Sequence, residues 1–185
     1  DSSNMNFETH IGAPDSFQNA LALNVEYSQI KKVREIIKNQ TGHSLKFLTS
    51  WMPEGEAHVT TISPPEYKNI LRHFISMERI NEIAKDLKIQ NADLKVLGIG
   101  SGKTQVAGKL EETFFLIVDS NKLREIRHAI YNEFVINGGN PSAFDPAWFF
   151  PHITIGHTKK DIHEHQGLLK DIKHSYDERF KVIVN

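Results

Sequence analysis

Phe149-Phe150-Pro151-His152-Ile153-Thr154-Ile155 is the stretch on which the fold turns. Its β-branched and aromatic residues favour an extended strand. In a strand, residues two apart project from the same face, so His152 and Thr154 stand side by side. A partial copy lies upstream at Ala57-His58-Val59-Thr60-Thr61-Ile62, where His58 and Thr60 repeat the arrangement. Two such pairs facing each other across a groove would supply an acid, a base and two hydrogen-bonding hydroxyls.

Working outward, each copy closes a similar run of elements. Residues 21–25 alternate as a strand, and Ser28 is the expected N-cap of a helix with Ile30, Val33, Ile36 and Ile37 on one face. Thr41-Gly42 ends that helix, residues 45–48 form a short strand candidate, and the first His-x-Thr strand follows, stopped by Ser63-Pro64-Pro65. Further on, residues 114–118 read as a strand. Ser120 caps a helix with Leu123, Ile126, Ile130 and Phe134 inward, and a loop at 137–141 leads to the second His-x-Thr strand. Val25 precedes His58 by 33 residues and Val118 precedes His152 by 34. This spacing predicts duplicated strand-helix-strand units about a pseudo-two-fold axis.

Between the copies, residues 67–74 and 77–87 read as helices, with Ile70, Leu71 and Phe74 inward in the first. Residues 94–97 are a strand candidate. Residues 1–19 are polar, contain Gly12 and Pro14, and read as a loose N-terminal arm to a single domain spanning 20–185. Residues 157–173 read as polar helix or loop, and 180–184 as a final strand.

Ten histidines and 21 serines and threonines in 185 residues yield roughly one His-x-Ser/Thr by chance. The count alone is therefore weak, and the matched positions in the repeat carry the argument. The chemistry is coherent. Hydrolysis of a phosphodiester needs one group to take a proton from water and another to give one to the leaving oxygen. An imidazole with an ordinary pKa of ~6.5 serves either role near neutrality. The threonine hydroxyls suit the non-bridging oxygens as charge builds on them. Which histidine is acid and which base stays open. The bland alternative for each pair is a hydrogen-bonded His and Thr on a half-buried strand.

Composition narrows the field. A net charge of −1 provides no global basic field for long-duplex nucleic acid, although a short or single-nucleotide ligand needs only a local patch. No apolar run reaches membrane-spanning length. The absence of cysteine excludes disulfides, thiolate metal sites and cysteine nucleophiles. No apolar signal-peptide core follows Met5, so a cytoplasmic location is expected.

Three other features compete for chemistry. Trp148, Phe149 and Tyr67 are candidates for stacking a nucleobase, with Trp51 and Phe150 further aromatics near the motifs. Gly98-Ile99-Gly100-Ser101-Gly102-Lys103-Thr104 resembles a phosphate-binding loop but fails on register, since Leu97 stands where that motif needs glycine. It reads instead as a flexible turn between antiparallel strands. His152, His157, His163 and His165 with Glu164 offer a metal-site reading, but match no zinc-ligand spacing.

His58-Val59-Thr60 and His152-Ile153-Thr154, 94 residues apart, resemble the two motifs of the two-histidine (2H) phosphoesterase superfamily, which includes 2′-5′ RNA ligase-like proteins and RNA 2′,3′-cyclic phosphodiesterases. Phe150-Pro151-His152-Ile153-Thr154-Ile155-Gly156 matches best, since proline often precedes the second motif histidine. The first motif departs in having Thr61 where a hydrophobic residue is more usual. The resemblance implies a bilobal α+β fold with a central cleft between two antiparallel sheets. It also implies cleavage of 2′,3′-cyclic phosphate or 2′-5′ bonds without a metal or other cofactor, by His58 and His152, with Thr60 and Thr154 on the phosphate. The expected partner is a nucleotide or RNA end, without a membrane, and the expected state is a monomer. Two alternatives remain: a catalytically silent nucleotide- or RNA-end-binding module with the same cleft, and a metal-dependent hydrolase using the C-terminal histidines.

Overall fold

A computed structural model of the chain describes residues 2–46, 55–158, 162, 164 and 167–181. In chain order its main elements are β1 (Leu21–Val25), α1 (Tyr27–Thr41), β2 (Ala57–Ile62), α2 (Pro64–Asn69) and α3 (Met77–Asp86). They continue as β3 (Lys95–Val106), β4 (Lys109–Asp119), α4 (Asn121–Ile136), β5 (His152–His157) and α5 (Ile172–Ser175). The fold is α+β. The described strands form one five-stranded sheet in the order β1-β2-β5-β4-β3, where two sheets are expected. Strand order is set by pairing between distant residues, which no local pattern encodes, and here β2 and β5 are neighbours.

Local signals account for most helix ends. Ser120 accepts from the Leu123 amide at 3.2 Å and starts α4. Ser63 and Glu66 form a capping box around Pro64 and Pro65 at the start of α2. Gly42 ends α1 at φ 72°, a left-handed conformation suited to glycine. Ser28, however, is not the N-cap of α1. Glu26 holds that position, and the Ser28 hydroxyl donates to its carboxylate at 2.8 Å. The inner face of α1 is Ile30, Arg34 and Ile37, while Ile36 is exposed. The helix expected at 67–74 splits at Asn69 into α2 and a 3₁₀ turn at Leu71–His73, leaving Phe74 exposed.

The chain forms two compact units. The first comprises Asp1–Asn24, Val59–Asp93 and Ser120–Phe149. Leu23, Val59, Ile62, Ile80, Ile126, Ile130 and Phe134 are buried in it. The N-terminal residues are docked here rather than loose. Ser2 is buried and exchanges two hydrogen bonds of 3.1 Å with Gln90. The Asn24 side chain donates to the Asn6 carbonyl at 2.8 Å, and His10 bridges to Ala20.

The second unit comprises Val25–His58, Leu94–Asp119 and Phe150–Asn185. β3 and β4 form a long antiparallel hairpin from Lys95↔Asp119 to Val106↔Lys109. Its turn is Ala107-Gly108, with φ of 52° and 78°, the positive values a two-residue hairpin needs. The glycine-rich segment is thus strand, not turn. Its glycines resolve the misreading: a Cβ on Gly98 would come 2.7 Å from the Tyr176 ring, and one on Gly102 2.5 Å from Leu168. Glycine is there because other chain lies against it. β4 pairs with β5 on its other side, with Phe115↔Thr154 and Ile117↔His152. Phe180 belongs to a 3₁₀ turn at Glu178–Phe180 rather than to a final strand; positions 182–184 of that expected strand lie outside the described residues, as do 47–48 of the one expected at 45–48.

Candidate active site

Strand alternation leaves both His-x-Thr pairs partly exposed. In β2, Ala57 and Val59 are buried while His58 and Thr60 are partly exposed. In β5, Ile153 and Ile155 are buried while His152 and Thr154 are partly exposed. Thr61 is itself buried at 1% exposure. Its methyl group serves the core, and its hydroxyl lies 3.4 Å from the Val59 carbonyl.

His152 has the clearer local geometry. Its Nδ1 lies 2.8 Å from the Phe150 carbonyl oxygen. A carbonyl only accepts, so Nδ1 carries a proton, and Nε2 is the nitrogen that gains or loses one. The edge-on Phe115 ring, 5.8 Å away between centroids, further fixes the imidazole. Gly156 stands in β5 where space is short. A Cβ there would meet the Lys46 carbonyl at 2.9 Å, because Lys46 bridges to His157 through bonds of 2.8 and 2.9 Å.

The aromatic candidates separate. Trp148 is 53% exposed, whereas Tyr67 and Phe149 are buried. Arg127 and Arg124 lie 4.8 and 5.5 Å from the Phe149 ring centroid, so that ring is occupied by cation–π contacts within the first unit. Burial raises the Tyr67 hydroxyl's pKa despite its hydrogen bond with the Met77 backbone, consistent with a core residue. Neither ring is open to a base. Phe150 is partly exposed, and Trp51 lies outside the described residues.

Two polar clusters escaped sequence reasoning. In the first unit, Arg127 is 1% exposed and makes six hydrogen bonds. It donates to the Thr61 carbonyl at 2.8 Å, to both Glu66 carboxylate oxygens at 3.1 and 2.9 Å, and to the carbonyls of Pro146, Asp145 and Trp148. It thereby ties the end of β2 to the loop before β5. The only sequence signal is an arginine at helical spacing among Leu123, Ile130 and Phe134. In the second unit, Arg179 pairs with Asp177 at 2.7 Å and Glu112 at 3.3 Å, His43 lies 3.2 Å from Glu112, and Ser101 donates to Asp177 at 2.8 Å. Burial pushes the Asp177 carboxyl upward, but Arg179 and Ser101 outweigh it and hold its pKa below the ordinary value.

An open depression of about 260 Å³ in the second unit is lined by Ser101, Lys103, His174, Tyr176 and Arg179 among others, and by none of the motif residues. Among the described residues no group of three or more His, Asp or Glu is arranged to hold a metal ion. His163 and His165 of the metal-site reading lie outside the described residues. No described helix is long and apolar enough to cross a membrane.

The α+β fold carries one partly exposed His-x-Thr pair on β2 and another on β5. A family model described as "Swiss Army Knife, 2H phosphoesterase domain" (2H-SAK) matches residues 19–163, and the chain belongs to that family. The family is generally hydrolytic and supports phosphodiesterase-type activity. No curated protein and no solved structure matches the chain.

Proposed function

We propose that the chain is a metal-independent phosphodiesterase that opens 2′,3′-cyclic phosphates of RNA ends or nucleotides, or cleaves 2′-5′ phosphodiester bonds. The carrying observation is the half-exposed placement of both His-x-Thr pairs, one on β2 and one on β5. The duplicated-unit reading belongs to the same proposal. It is supported by the recurrence of strand, helix, strand in β1-α1-β2 and β4-α4-β5, and by the order β1-β2-β5-β4, which runs the same outward from its middle.

In this reading, one imidazole of His58 and His152 takes a proton from water as its oxygen bonds to phosphorus. The other gives a proton to the ribose oxygen as its bond to phosphorus breaks. The product is a phosphomonoester with a free hydroxyl, and the two histidines end with their protonation states exchanged. Thr60 and Thr154 donate to the non-bridging oxygens, where charge develops in the transition state. Trp148 is the accessible ring for a base. The test is turnover of a 2′,3′-cyclic nucleotide and a 2′-5′ dinucleotide in excess EDTA, by wild type and by His58→Ala and His152→Ala. Expected is activity that survives EDTA and falls by at least about 10²–10⁴-fold in each variant. Binding without turnover would favour the silent module, and loss in EDTA a metal-dependent hydrolase. A wild type that neither cleaves nor binds any nucleotide would overturn the site.

A further inference from the structure

The glycine stripe of β3 points to another residue of the site. Gly98, Gly100 and Gly102 alternate along the strand and so share one face. Directly paired residues project to the same side of a sheet, and the register Gly100↔Phe115↔Thr154 with Ile117↔His152 places that face with the motif residues of β5. The missing side chains leave room for two things. The Phe115 ring leans over β3, so that a Cβ on Gly100 would fall 2.4 Å from it, and the segment 168–176 lies against the strand through Leu168 and Tyr176. That segment carries Lys170. Its side chain is buried with the residue 5% exposed, and its Nζ lies 5.2 Å from the Phe115 ring centroid. Phe115 in turn meets the His152 ring at 5.8 Å. A buried ammonium, an aromatic ring and the motif histidine thus follow one another on a single face of the second unit.

We propose that Lys170 binds the phosphoryl oxygens of the substrate beside Thr154. The inference rests on the phosphodiesterase reading. Removing an ammonium from water is costly and is tolerated where other interactions offset it. The Phe115 face offers one such cation–π contact, and the compact ammonium on a flexible four-carbon stem suits a phosphate anion. The histidines must cycle between neutral and charged forms, so neither can hold a constant countercharge for the phosphate, whereas a lysine can. The ligand class is a phosphate ester anion, and inorganic phosphate is the minimal probe.

The full chain, labelled with ¹³C-lysine, is titrated by NMR with inorganic phosphate and then with adenosine 2′-monophosphate. The Lys170 ε signal moves saturably with both, while that of Lys122, ion-paired with Glu125 in the first unit, stays in place. Lys170→Met, which keeps the stem and removes the charge, weakens adenosine 2′-monophosphate binding by about tenfold or more. It leaves adenosine binding unchanged, and Lys170→Arg recovers most of the loss. A Lys170 signal that stays still while the His152 ring signals respond, or wild-type affinity in Lys170→Met, overturns the inference and leaves the phosphodiesterase reading standing. A wild type that binds neither phosphate nor nucleotide overturns both. The titration of the wild type decides the matter even where Lys170→Met does not fold.

Discussion

Arg127 donates six hydrogen bonds, and its acceptors lie in three separate segments around Thr61, Glu66 and Asp145. Removing the guanidinium leaves a partly buried carboxylate and several carbonyls without their donor. Arg127→Ala is therefore expected to destabilise the chain by about 3–5 kcal/mol, read as a lower midpoint in urea unfolding. The pair Arg127→Met with Glu66→Leu should cost clearly less, since no carboxylate is then left behind. At the proposed phosphate site, Thr154→Val keeps shape and β propensity while deleting one donor. It should lower kcat by about 10²-fold without changing the melting temperature. A full-rate Thr154→Val would remove this hydroxyl from the mechanism. The placement of Thr154 beside His152 on β5 was legible in the sequence because it depends only on a period of two. Arg127 was not, because nothing near it in the chain announces acceptors 18 to 66 residues away.

Among the elements, β3 shows where composition misleads. Gly-Ile-Gly-Ser-Gly has the content of a loop, yet here glycine marks strand backbone approached closely by another ring and another segment. Gly100→Ala sets a methyl group 2.4 Å from Phe115 and 2.9 Å from Ile117. Overpacking of this kind typically costs about 1–3 kcal/mol, and thermal denaturation should show it. A substitution without loss of stability would mean that the Phe115 ring yields easily. Helix ends were better legible, because Ser120, Ser63 and Gly42 act within one turn of themselves. Ser28 failed for the same local reason: Glu26, two residues earlier, already has the extended backbone of a cap and draws the serine hydroxyl to its own carboxylate.

At the scale of the whole molecule, acid should weaken the fold in two stages. Burial lowers the His10 pKa below the ordinary 6.5, only partly opposed by Glu8. The unfolded chain therefore binds that proton first, and stability falls as pH drops from about 6.5 through the lowered value. Asp177 also has a depressed pKa, so its contribution is intact above its ordinary 3.8 and is lost as pH falls through the folded value. Unfolding free energy measured against pH should show both limbs. His10→Gln should flatten the upper one and Asp177→Asn the lower, and an unchanged profile in either variant would contradict the assignment. The α+β class and the paired motifs could be read from the chain, whereas the single five-stranded sheet depended on a neighbour relation between β2 and β5 that only long-range pairing creates. One consequence of that order concerns breathing. β5 is the middle strand, hydrogen-bonded to a neighbour on each side, so fraying from a sheet edge reaches it last. The amides of Ile153 and Ile155 should be among the slowest in the chain to exchange with deuterium, and the strand that carries His152 should keep its geometry until the sheet itself opens.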